Sequence, residues 1–513
     1  MKKRDQGTNN KKGVLAAIER IGNRLPHPAT IFIILCAIII VVSGIMAKMG
    51  ISVTYQGLDR STMEIKEMSA SVISLLTPEG IRYMFTSAVK NFTGFAPLGT
   101  VLVALLGVGL AEGTGLIGTL LTKLVTSTPK RLITVVVVFA GVMSSIASDA
   151  GYVVLVPLGA IVFLSFGRHP MAGLAAAFAG VSGGYSANLL AGPTDALLAG
   201  ISTEGAKLFS NNVSVGAADN WYFIIASTFL ITLIGTVVTE KIVEPKLGEY
   251  KGDEKVKLED ITLEQKRGLK FAGIALIVFI ILMGITLLPN GVLRNPETNE
   301  ILTSPFMDSI VVIIALFFLI PGIAYGIGSR TIKSDKDVIH LMSKSMSSMG
   351  GYIVLVFFAA QFVQYFSYTN IGIVIAVNGA NFLESIGFTG IPLIISFIIL
   401  TAFINLFMGS ASAKWAIMAP IFIPMLMSLG SSPALVQMAY RIGDSTTNII
   451  SPLMSYFALI VAFAEKYDKK SGVGTLITTM IPYSIAFLIG WTILLIIWMA
   501  FRIPLGPGVN VFI

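Results

Sequence analysis

The amino-acid sequence predicts an all-α polytopic membrane protein that contains an inverted repeat. Of its 513 residues, 54% are hydrophobic and only 12% are charged, with a mean hydropathy of +0.82. A soluble protein carries about a quarter charged residues. Several apolar runs exceed the roughly 18 to 20 residues that span a bilayer, whereas a membrane barrel would show short segments of alternating polarity. Two apolar regions are interrupted by polar, glycine-rich stretches at matching positions.

The net charge of +8 comes from 36 basic and 28 acidic residues. In a membrane protein, such an excess is typical of Lys and Arg in cytoplasmic loops, so we expect no nucleic-acid partner. The one cysteine, Cys36, lies inside the first apolar run. We interpret it as a small buried hydrophobe, and a single cysteine excludes a disulfide or cysteine metal site within one chain.

The first transmembrane helix is predicted at about 28–49. Its basic flank, MKKRDQGTNNKKG, places the N-terminus in the cytoplasm. No small-residue cleavage pattern follows the run, so we interpret it as a retained helix and not a signal peptide. The polar segment 50–93 is expected outside, with some amphipathic helix. A second span, at about 95–124, returns to the basic segment 129–131.

The later elements follow from the basic loops. Segments 241–267, 329–348 and 466–470 carry Lys or Arg and are predicted to be cytoplasmic, which leaves the C-terminus outside. Five more spans are predicted, at about 221–239, 269–288, 306–328, 351–377 and 473–500. We divide the chain into N-terminal scaffold and dimerisation helices (1–130), repeat 1 (131–210), a linking region with a cytoplasmic loop (211–390), repeat 2 (391–465) and a C-terminal helix (466–513).

The two broken regions align without a gap over 35 residues at an offset of 263. Eight positions are identical, among them Pro157 and Pro420, and Gly180 and Gly443. By the basic loops, the first region begins inside and the second begins outside, so the copies are inverted. Inverted repeats with interrupted helices are typical of secondary transporters, whose site lies near the bilayer midplane.

Each repeat contains a predicted helix break, at 144–151 and at 409–414, where lipid could not form hydrogen bonds with the freed backbone groups. Such breaks are tolerated only where protein or water surrounds them. An apolar arm with a proline follows each one, so we predict that each break is the tip of a re-entrant hairpin. The second polar stretches, 182–188 and 444–448, are expected to face these tips.

Ionisable side chains at membrane depth cost roughly 2.5 to 3.5 kcal/mol each, so they favour a functional role. Arg441 and Asp444 are three residues apart and are predicted to pair. Asp444 would couple to an ion, and Arg441 would orient it or meet an anionic substrate; alternatively, the pair only holds two helices together. Asn448 extends the same face. Asp195 follows a helix break that suits a cation or a proton, or else it is a helix cap.

Amide and carboxyl groups near the two tips are candidate ion ligands. Asn405 lies before the second tip and offers a carbonyl oxygen to a hard cation. Asp149 lies at the first tip, where it is expected to cap the outgoing half-helix. Asn188, in the polar stretch 182–188 that is expected to face the first tip, is also predicted to be an ion-coupling residue. A sodium ion is therefore expected near Asn405, Ser148 and Asp444.

Trp415 and Lys414 lie just after the second tip. The repeat pairs Trp415 with Tyr152. Tryptophans in membrane proteins are often interface anchors, and that alternative stands beside a binding role for the Trp415 ring.

Two enzyme classes and a passive channel are alternatives. The stretch GVSG at 180–183 has the GxSG form of intramembrane serine proteases, but these need a histidine deep in another helix. All three histidines lie at span ends or in loops. The pair Gly443-Asp444 lacks the first glycine of the GxGD aspartyl proteases. Re-entrant hairpins also build channels, which uncoupled flux would reveal.

Four stretches together resemble one family. These are SDAGYVVLVPLGAIVF, GVSGGYSANLLAGPTDALLAG, GSASAKWAIMAPIFIPML and AYRIGDSTTNIISPLMSYF. They are similar to the p-aminobenzoyl-glutamate transporter (AbgT) family, and the likeness covers essentially the whole chain. The resemblance implies a homodimer of protomers with nine transmembrane helices and two re-entrant hairpins in a bacterial inner membrane. It implies secondary active transport of p-aminobenzoyl-glutamate, or ion-driven efflux of sulfonamide antimetabolites, with H⁺ or Na⁺ as coupling ion and no other cofactor.

The resemblance also implies which residues act. The positions that match the family's functional residues are Asp195, Asn405, Ser412, Trp415, Arg441, Asp444 and Pro452. The aromatic ring of the substrate is expected to stack on Trp415, and its carboxylates are expected to meet Arg441, Lys414 or half-helix N-termini. A sodium-coupled dicarboxylate carrier is the main alternative, because a related scaffold serves such substrates.

Overall fold

The computed structural model describes residues 26–59, 64–147, 151–210, 212–250, 252, 261–301, 304–454, 456–469 and 471–513. These residues are mainly helical, with one two-stranded antiparallel sheet. In chain order the elements are α1 (Pro28–Lys48), β1 (Ser52–Asp59), β2 (Glu64–Ser71), α2 (Pro78–Thr93), α3 (Ala96–Gly113), α4 (Leu116–Thr126), α5 (Ile133–Met143), α6 (Val156–Ser165), α7 (Pro170–Phe178), α8 (Pro193–Lys207), α9 (Trp221–Val238), α10 (Glu244–Leu247), α11 (Leu263–Thr286), α12 (Pro305–Asp308), α13 (Ile310–Ser329), α14 (Asp335–Ser347), α15 (Gly350–Tyr368), α16 (Ile371–Ser385), α17 (Gly390–Asn405), α18 (Ala411–Ser428), α19 (Pro433–Asn448), α20 (Phe457–Tyr467) and α21 (Val473–Ala500).

Eight helices of the described chain are long and apolar enough to cross a membrane. A ninth candidate is the pair of 116–126 and 130–146, which is bent by 114°. Among the eight, α21 is the last and has the bounds that the sequence predicted. The structure therefore confirms an all-α polytopic membrane protein with about nine spans.

Two of the predicted spans are each divided into two helices, so their prediction as single helices is wrong. The span predicted at 95–124 is divided at Gly115, whose φ of 88° ends one helix and turns the chain into the next. The span predicted at 351–377 is divided at Asn370, which has φ 58°. Asparagine tolerates this left-handed conformation. The side chain of Asn370 also donates a hydrogen bond to the carbonyl of Ser71 at 2.9 Å, so a tertiary contact fixes the break.

The segment predicted to be polar and external, 50–93, holds a β-hairpin and a helix. Strands β1 and β2 pair antiparallel, with Ser52 opposite Ser71. The helix expected in this segment is α2. It runs on toward α3, so that 78–113 forms one candidate span and only the first part of the segment is a loop.

The broken regions each form a hairpin. In hairpin 1 (residues 133–165), the arms are α5 and α6. Arg168, just beyond the second arm, donates a hydrogen bond to the hydroxyl of Thr134 at the start of the first arm, at 2.7 Å. In hairpin 2 (residues 390–428), Phe397 of α17 and Phe422 of α18 have ring centroids 4.9 Å apart. Both pairs of arms thus return toward the same end, as the sequence predicts; that the tips stop within a bilayer stays a prediction.

The aligned glycines of the repeat have the same role in both copies. A Cβ on Gly180 would lie 2.4 Å from the carbonyl oxygen of Val138 in hairpin 1, and a Cβ on Gly443 would lie 2.4 Å from that of Ile398 in hairpin 2. Only glycine lets the helix after each hairpin approach its first arm this closely. The repeat is therefore present in the packing as well as in the sequence.

The second polar stretches of the two repeats, 182–188 and 444–448, differ in secondary structure. After α7, a π-helical turn (Ala179–Gly183) leads into non-helical chain before α8. In repeat 2, the polar stretch 444–448 is still helical, because α19 ends at Asn448 and the break follows it. Both stretches face their hairpin tips, as the hydrogen bonds below establish.

Candidate functional site

A buried ion pair joins hairpin 2 to helix α19. Lys414 lies in the first turn of α18, and its ammonium is 2.6 Å from Oδ1 of Asp444. Their side chains are 1% and 2% exposed. The same ammonium donates to Oδ1 of Asn405, at the end of α17, and lies 3.4 Å from the carbonyl oxygen of Met408 in the tip. The tip of hairpin 2 is thus fixed to α19 by a charge that is removed from solvent.

Asn405 connects the tip to the last turn of α19. Its Nδ2 donates toward the carbonyl of Asp444 at 2.7 Å, and toward the side-chain oxygens of Thr447 and Asn448, both at 2.9 Å. An amide has two N–H groups, so at least one is shared between acceptors. The backbone oxygen of Asn405 accepts from the hydroxyl of Ser451 at 3.2 Å. The predicted neighbours Asn405, Asp444 and Asn448 therefore form one network.

A second buried ion pair joins α19 to α8. Arg441 donates from Nη1 to Oδ1 of Asp195 at 2.6 Å, with side chains 4% and 7% exposed. Oδ2 of Asp195 accepts from the backbone N–H of Gly192 at 2.7 Å. The helix-cap interpretation of Asp195 is confirmed, because one oxygen caps α8 while the other holds the guanidinium of Arg441; binding of a cation or a proton by Asp195 stays a prediction.

The predicted pairing of Arg441 with Asp444 is wrong. Although the two residues are three apart on α19, each is within salt-bridge distance of a group from another element. Helix spacing predicts which residues of one helix lie near each other, but it gives no information on partners from other elements. Here each charge is buried against a partner across a packed interface. Helix α19 consequently carries two separate ion pairs, one to hairpin 2 and one to repeat 1.

The aromatic residue predicted at the second tip lies beside these charges. Trp415 is fully buried, its ring stacks on Tyr440 with centroids 4.4 Å apart, and its indole nitrogen donates to Ser202 at 3.0 Å. This burial removes the interface-anchor alternative. The hydroxyl of Tyr440 bonds to the carbonyl of Ala411 at 2.5 Å and lies 3.5 Å from Oδ1 of Asp444. One face of the Trp415 ring is thus taken by protein in this conformation.

Sequence reasoning missed Tyr440 and Ser202. Tyr440 lies four residues before Asp444, so helical spacing alone would have put it on the same face. Ser202 had no comparable signal. The repeat-related aromatic residue Tyr152 also stacks on a tyrosine, Tyr456, with centroids 4.6 Å apart.

The tip of hairpin 1 in repeat 1 has a simpler hydrogen-bond network than the tip of hairpin 2. Asn188 donates to the hydroxyl of Ser145 at 2.8 Å and accepts from the backbone N–H of Leu190 at 3.1 Å. It thereby holds the start of the tip of hairpin 1, and it is not a member of either buried ion pair. Ser148 and Asp149 lie outside the described residues.

Ser412 and Pro452 border the site. Ser412 is half-buried in the first turn of α18, and Pro452 is half-buried in the break after α19. A Cβ on Gly409 would lie 2.6 Å from the carbonyl oxygen of Leu453. The tip of hairpin 2 therefore packs directly on the chain that follows Pro452.

Three buried polar atoms near Arg441 have no hydrogen-bond partner. They are Nε of Arg441 itself, Oγ of Ser445 one turn along α19, and Oγ of Ser186. The backbone carbonyl of Ser186 lies 3.5 Å from Nη2 of Arg441. An unsatisfied buried polar group costs about 1 to 3 kcal/mol. A polar ligand with two or more acceptor atoms would satisfy such a set.

Comparisons with known proteins agree with this architecture. The model of the AbgT transporter family matches residues 13–513. The chain is 41% identical over 493 residues to the p-aminobenzoyl-glutamate transport protein of Escherichia coli (strain K12), which covers 96% of both sequences. Among solved structures, MtrF of Neisseria gonorrhoeae, from a class of antimetabolite efflux pumps, is 51% identical with a TM-score of 0.91, covering 96% of this chain and 99% of that chain. The YdaH transporter of Alcanivorax borkumensis is 46% identical with a TM-score of 0.88, covering 94% and 100%. The chain therefore belongs to the AbgT family of membrane transporters and is not an enzyme.

Proposed function

We propose that the chain is an ion-coupled secondary active transporter of p-aminobenzoyl-glutamate. The observation that carries the proposal is the pair of buried ion pairs on α19, Arg441 with Asp195 and Lys414 with Asp444. Each joins α19 to a different element, and each includes a carboxylate that a proton would neutralise. The name of the relative in Escherichia coli supports the choice of substrate.

The chemistry of the site suits that substrate. p-Aminobenzoyl-glutamate has an aromatic ring, an amide and two carboxylates. When a proton neutralises Asp195, the ion pair between Asp195 and Arg441 weakens, because it loses its Coulomb attraction in a low-dielectric site. The guanidinium and the unpartnered hydroxyls of Ser186 and Ser445 then donate hydrogen bonds to a substrate carboxylate. Proton and anion binding would thereby be linked.

The aromatic part of the substrate is assigned to Trp415. Its ring stacks on Tyr440, so binding requires Tyr440 to be displaced or the ring to be met at its other face. Ser412 and Pro452 border the same space, and Asn405 and Asn448 tie it to the ion pair of Lys414. Asn188 would support the matching tip in repeat 1.

Efflux of sulfonamide-type antimetabolites by antiport is the second candidate. The likeness to MtrF supports it. Sulfonamides share the p-aminophenyl ring but lack the glutamate carboxylates, so they would depend on Trp415 more than on Arg441. We further propose a homodimer in the bacterial inner membrane, in contact with lipid, with the N-terminus cytoplasmic and the C-terminus external.

Proteoliposome flux tests the proposal. Uptake of radiolabelled p-aminobenzoyl-glutamate and of a sulfonamide would be measured under a proton gradient alone and under a sodium gradient alone, with protein-free liposomes and an ionophore as controls. The expected result is saturable p-aminobenzoyl-glutamate flux that the ionophore abolishes. Flux that is indifferent to both gradients and does not saturate would favour a channel. Movement of neither compound would leave the dicarboxylate carrier as the better description.

A further inference from the structure

We propose that the Lys414 ammonium is a tethered monovalent cation, which occupies the position at the tip of hairpin 2 where a free Na⁺ would otherwise bind. The proposal deepens the proposed function, because it assigns this site a fixed cation in place of an exchangeable one. It rests on the contacts of the ammonium, on the local chain conformation and on the charge balance of the tip.

The ammonium is held by the kinds of oxygen that hard cations prefer. Its partners are a carboxylate oxygen of Asp444 at 2.6 Å, the amide oxygen of Asn405, and the backbone carbonyl of Met408 at 3.4 Å. Carboxylate, amide and main-chain carbonyl oxygens are the usual ligands of such ions in proteins. Two of these oxygens come from the tip of hairpin 2 and one from α19, and all three converge on one nitrogen atom.

The backbone at the tip is arranged as in a cation site. Helix α17 ends at Asn405 and α18 begins at Ala411, so the five residues between them are non-helical. In this break the carbonyl of Met408 faces the ammonium, whereas that of Ser410 accepts from the backbone N–H of Lys414 at 3.1 Å. The Lys414 side chain reaches back from the first turn of α18 to this break.

The charges at the tip admit only one cation. Lys414 and Asp444 balance each other, and Arg441, the nearest cation along α19, is paired with Asp195. The other polar side chains near Asp444 are those of Tyr440, Tyr185 and Asn405, which are neutral. A Na⁺ ion added beside the ammonium would be a second, uncompensated positive charge in a buried site, and this is strongly unfavourable. The intact chain should therefore not bind Na⁺ here.

Two substitutions of Lys414 separate this role from that of an ordinary ion pair. Lys414→Ala removes the ammonium and leaves space beside an unpaired carboxylate, so the oxygens become available to Na⁺. Lys414→Met removes the same charge but fills the space with a chain of similar length. An ordinary salt bridge would respond alike to both substitutions, whereas a tethered cation would leave a Na⁺ site only in the alanine variant.

The experiment is thermal unfolding of the purified full-length protein in NaCl and in choline chloride of equal ionic strength. We expect Na⁺ to raise the midpoint of Lys414→Ala by about 2.5 °C at a concentration roughly a hundred times its dissociation constant. The intact chain, Lys414→Met and the double variant Lys414→Ala/Asp444→Asn should show no such difference. A Na⁺ response of Lys414→Ala no larger than that of the intact chain would overturn the proposal, as would one that survives in the double variant.

If Lys414→Ala does not withstand purification, the same comparison is made on its fluorescent fusion at extraction. A monodisperse size-exclusion peak that appears in NaCl and not in choline chloride supports the proposal, and identical aggregated profiles in both salts contradict it. These readouts measure cation binding and not flux. A failure of p-aminobenzoyl-glutamate transport would therefore leave this result standing, and the reverse also holds.

Discussion

Arg441 and Asp444 are three residues apart on one helix, yet Arg441 is bonded to Asp195 of α8 and Asp444 is bonded to Lys414 of hairpin 2. The Arg441–Asp195 pair thus connects α19 to repeat 1, and the Lys414–Asp444 pair connects it to the hairpin of its own repeat. Removing one partner of a buried pair costs about 3 to 5 kcal/mol, because it leaves an uncompensated charge. Neutralising Asp195 would therefore weaken the contact of α19 with repeat 1, whereas neutralising Asp444 would weaken its contact with the tip of hairpin 2.

Arg441→Lys should lower p-aminobenzoyl-glutamate flux by about tenfold or more, since lysine cannot reproduce the guanidinium fork and a lost charge-assisted hydrogen bond is worth about 1.5 to 3 kcal/mol. Sulfonamide flux should fall less. Initial rates in proteoliposomes measure both effects. Arg82→Lys is the matched control, because Arg82 is 72% exposed at its side chain and should tolerate the change. Equal losses for the two substrates would contradict a role of Arg441 in carboxylate binding.

Trp415→Ala should weaken substrate affinity by about tenfold, because an aromatic pair contributes about 0.5 to 1.5 kcal/mol beyond its buried area. Trp415→Phe should weaken it less, since a ring remains and only the bond to Ser202 is lost. Binding to purified protein by calorimetry measures the change. Trp491 offers a control, because it is equally buried and donates to Ser227 at 2.7 Å. If Trp491→Phe weakened binding as much as Trp415→Ala, ring stacking at Trp415 would be ruled out.

Gly180→Ala and Gly443→Ala should each destabilise the protein by about 1 to 3 kcal/mol, since the new methyl group meets a carbonyl oxygen of the backbone. Gly273→Ala, in α11, meets open space and should stabilise the helix by up to about 1 kcal/mol. The thermal midpoint of the detergent-solubilised protein measures all three. Midpoints of the first two variants at or above that of the unmodified protein would show that the close helix contacts are not needed.

Asp219 lies in the segment before α9, where burial raises the pKa of its carboxyl to about 6 despite a hydrogen bond from the backbone of Gly216. A raised pKa in the folded state means that folding favours the protonated acid. This contribution is complete below the ordinary pKa of 3.8 and is lost as the pH rises through about 6. The thermal midpoint should therefore decline over this interval, and Asp219→Asn should decline less. Parallel pH curves for the two proteins would contradict the assignment.

The sequence was sufficient for the elements with strong local signals. Long apolar runs predicted α1 and α21, and the aligned glycines predicted two similar hairpins, because these patterns are properties of contiguous chain. The strands β1 and β2 were missed, since a short polar hairpin lacks a long periodic signal. The splits at Gly115 and Asn370 were missed because a single residue in an apolar run changes hydropathy little.

The sequence predicts which residues belong to the candidate site, but it does not predict which of them pair with each other. Asn405, Arg441 and Asp444 stood out because polar groups in apolar surroundings are costly. Their partners could not be predicted, since Lys414 and Asp195 reach α19 through tertiary packing between segments distant in sequence. The same packing explains why Tyr440 was overlooked, because its role depends on contacts with Trp415 and Ala411.

In the proposed function, the carboxylate of Asp195 couples the ion gradient to substrate through Arg441. Asp195→Asn mimics the protonated acid, and Glu204→Gln is the control, because Glu204 is also buried on α8 but pairs with Lys207. Proteoliposomes containing each variant would be assayed for p-aminobenzoyl-glutamate accumulation driven by a proton or sodium gradient, and for exchange of substrate in the absence of a gradient. Asp195→Asn should retain exchange and lose accumulation, while Glu204→Gln retains both. Gradient-driven accumulation by Asp195→Asn at the level of the unmodified protein would contradict the account.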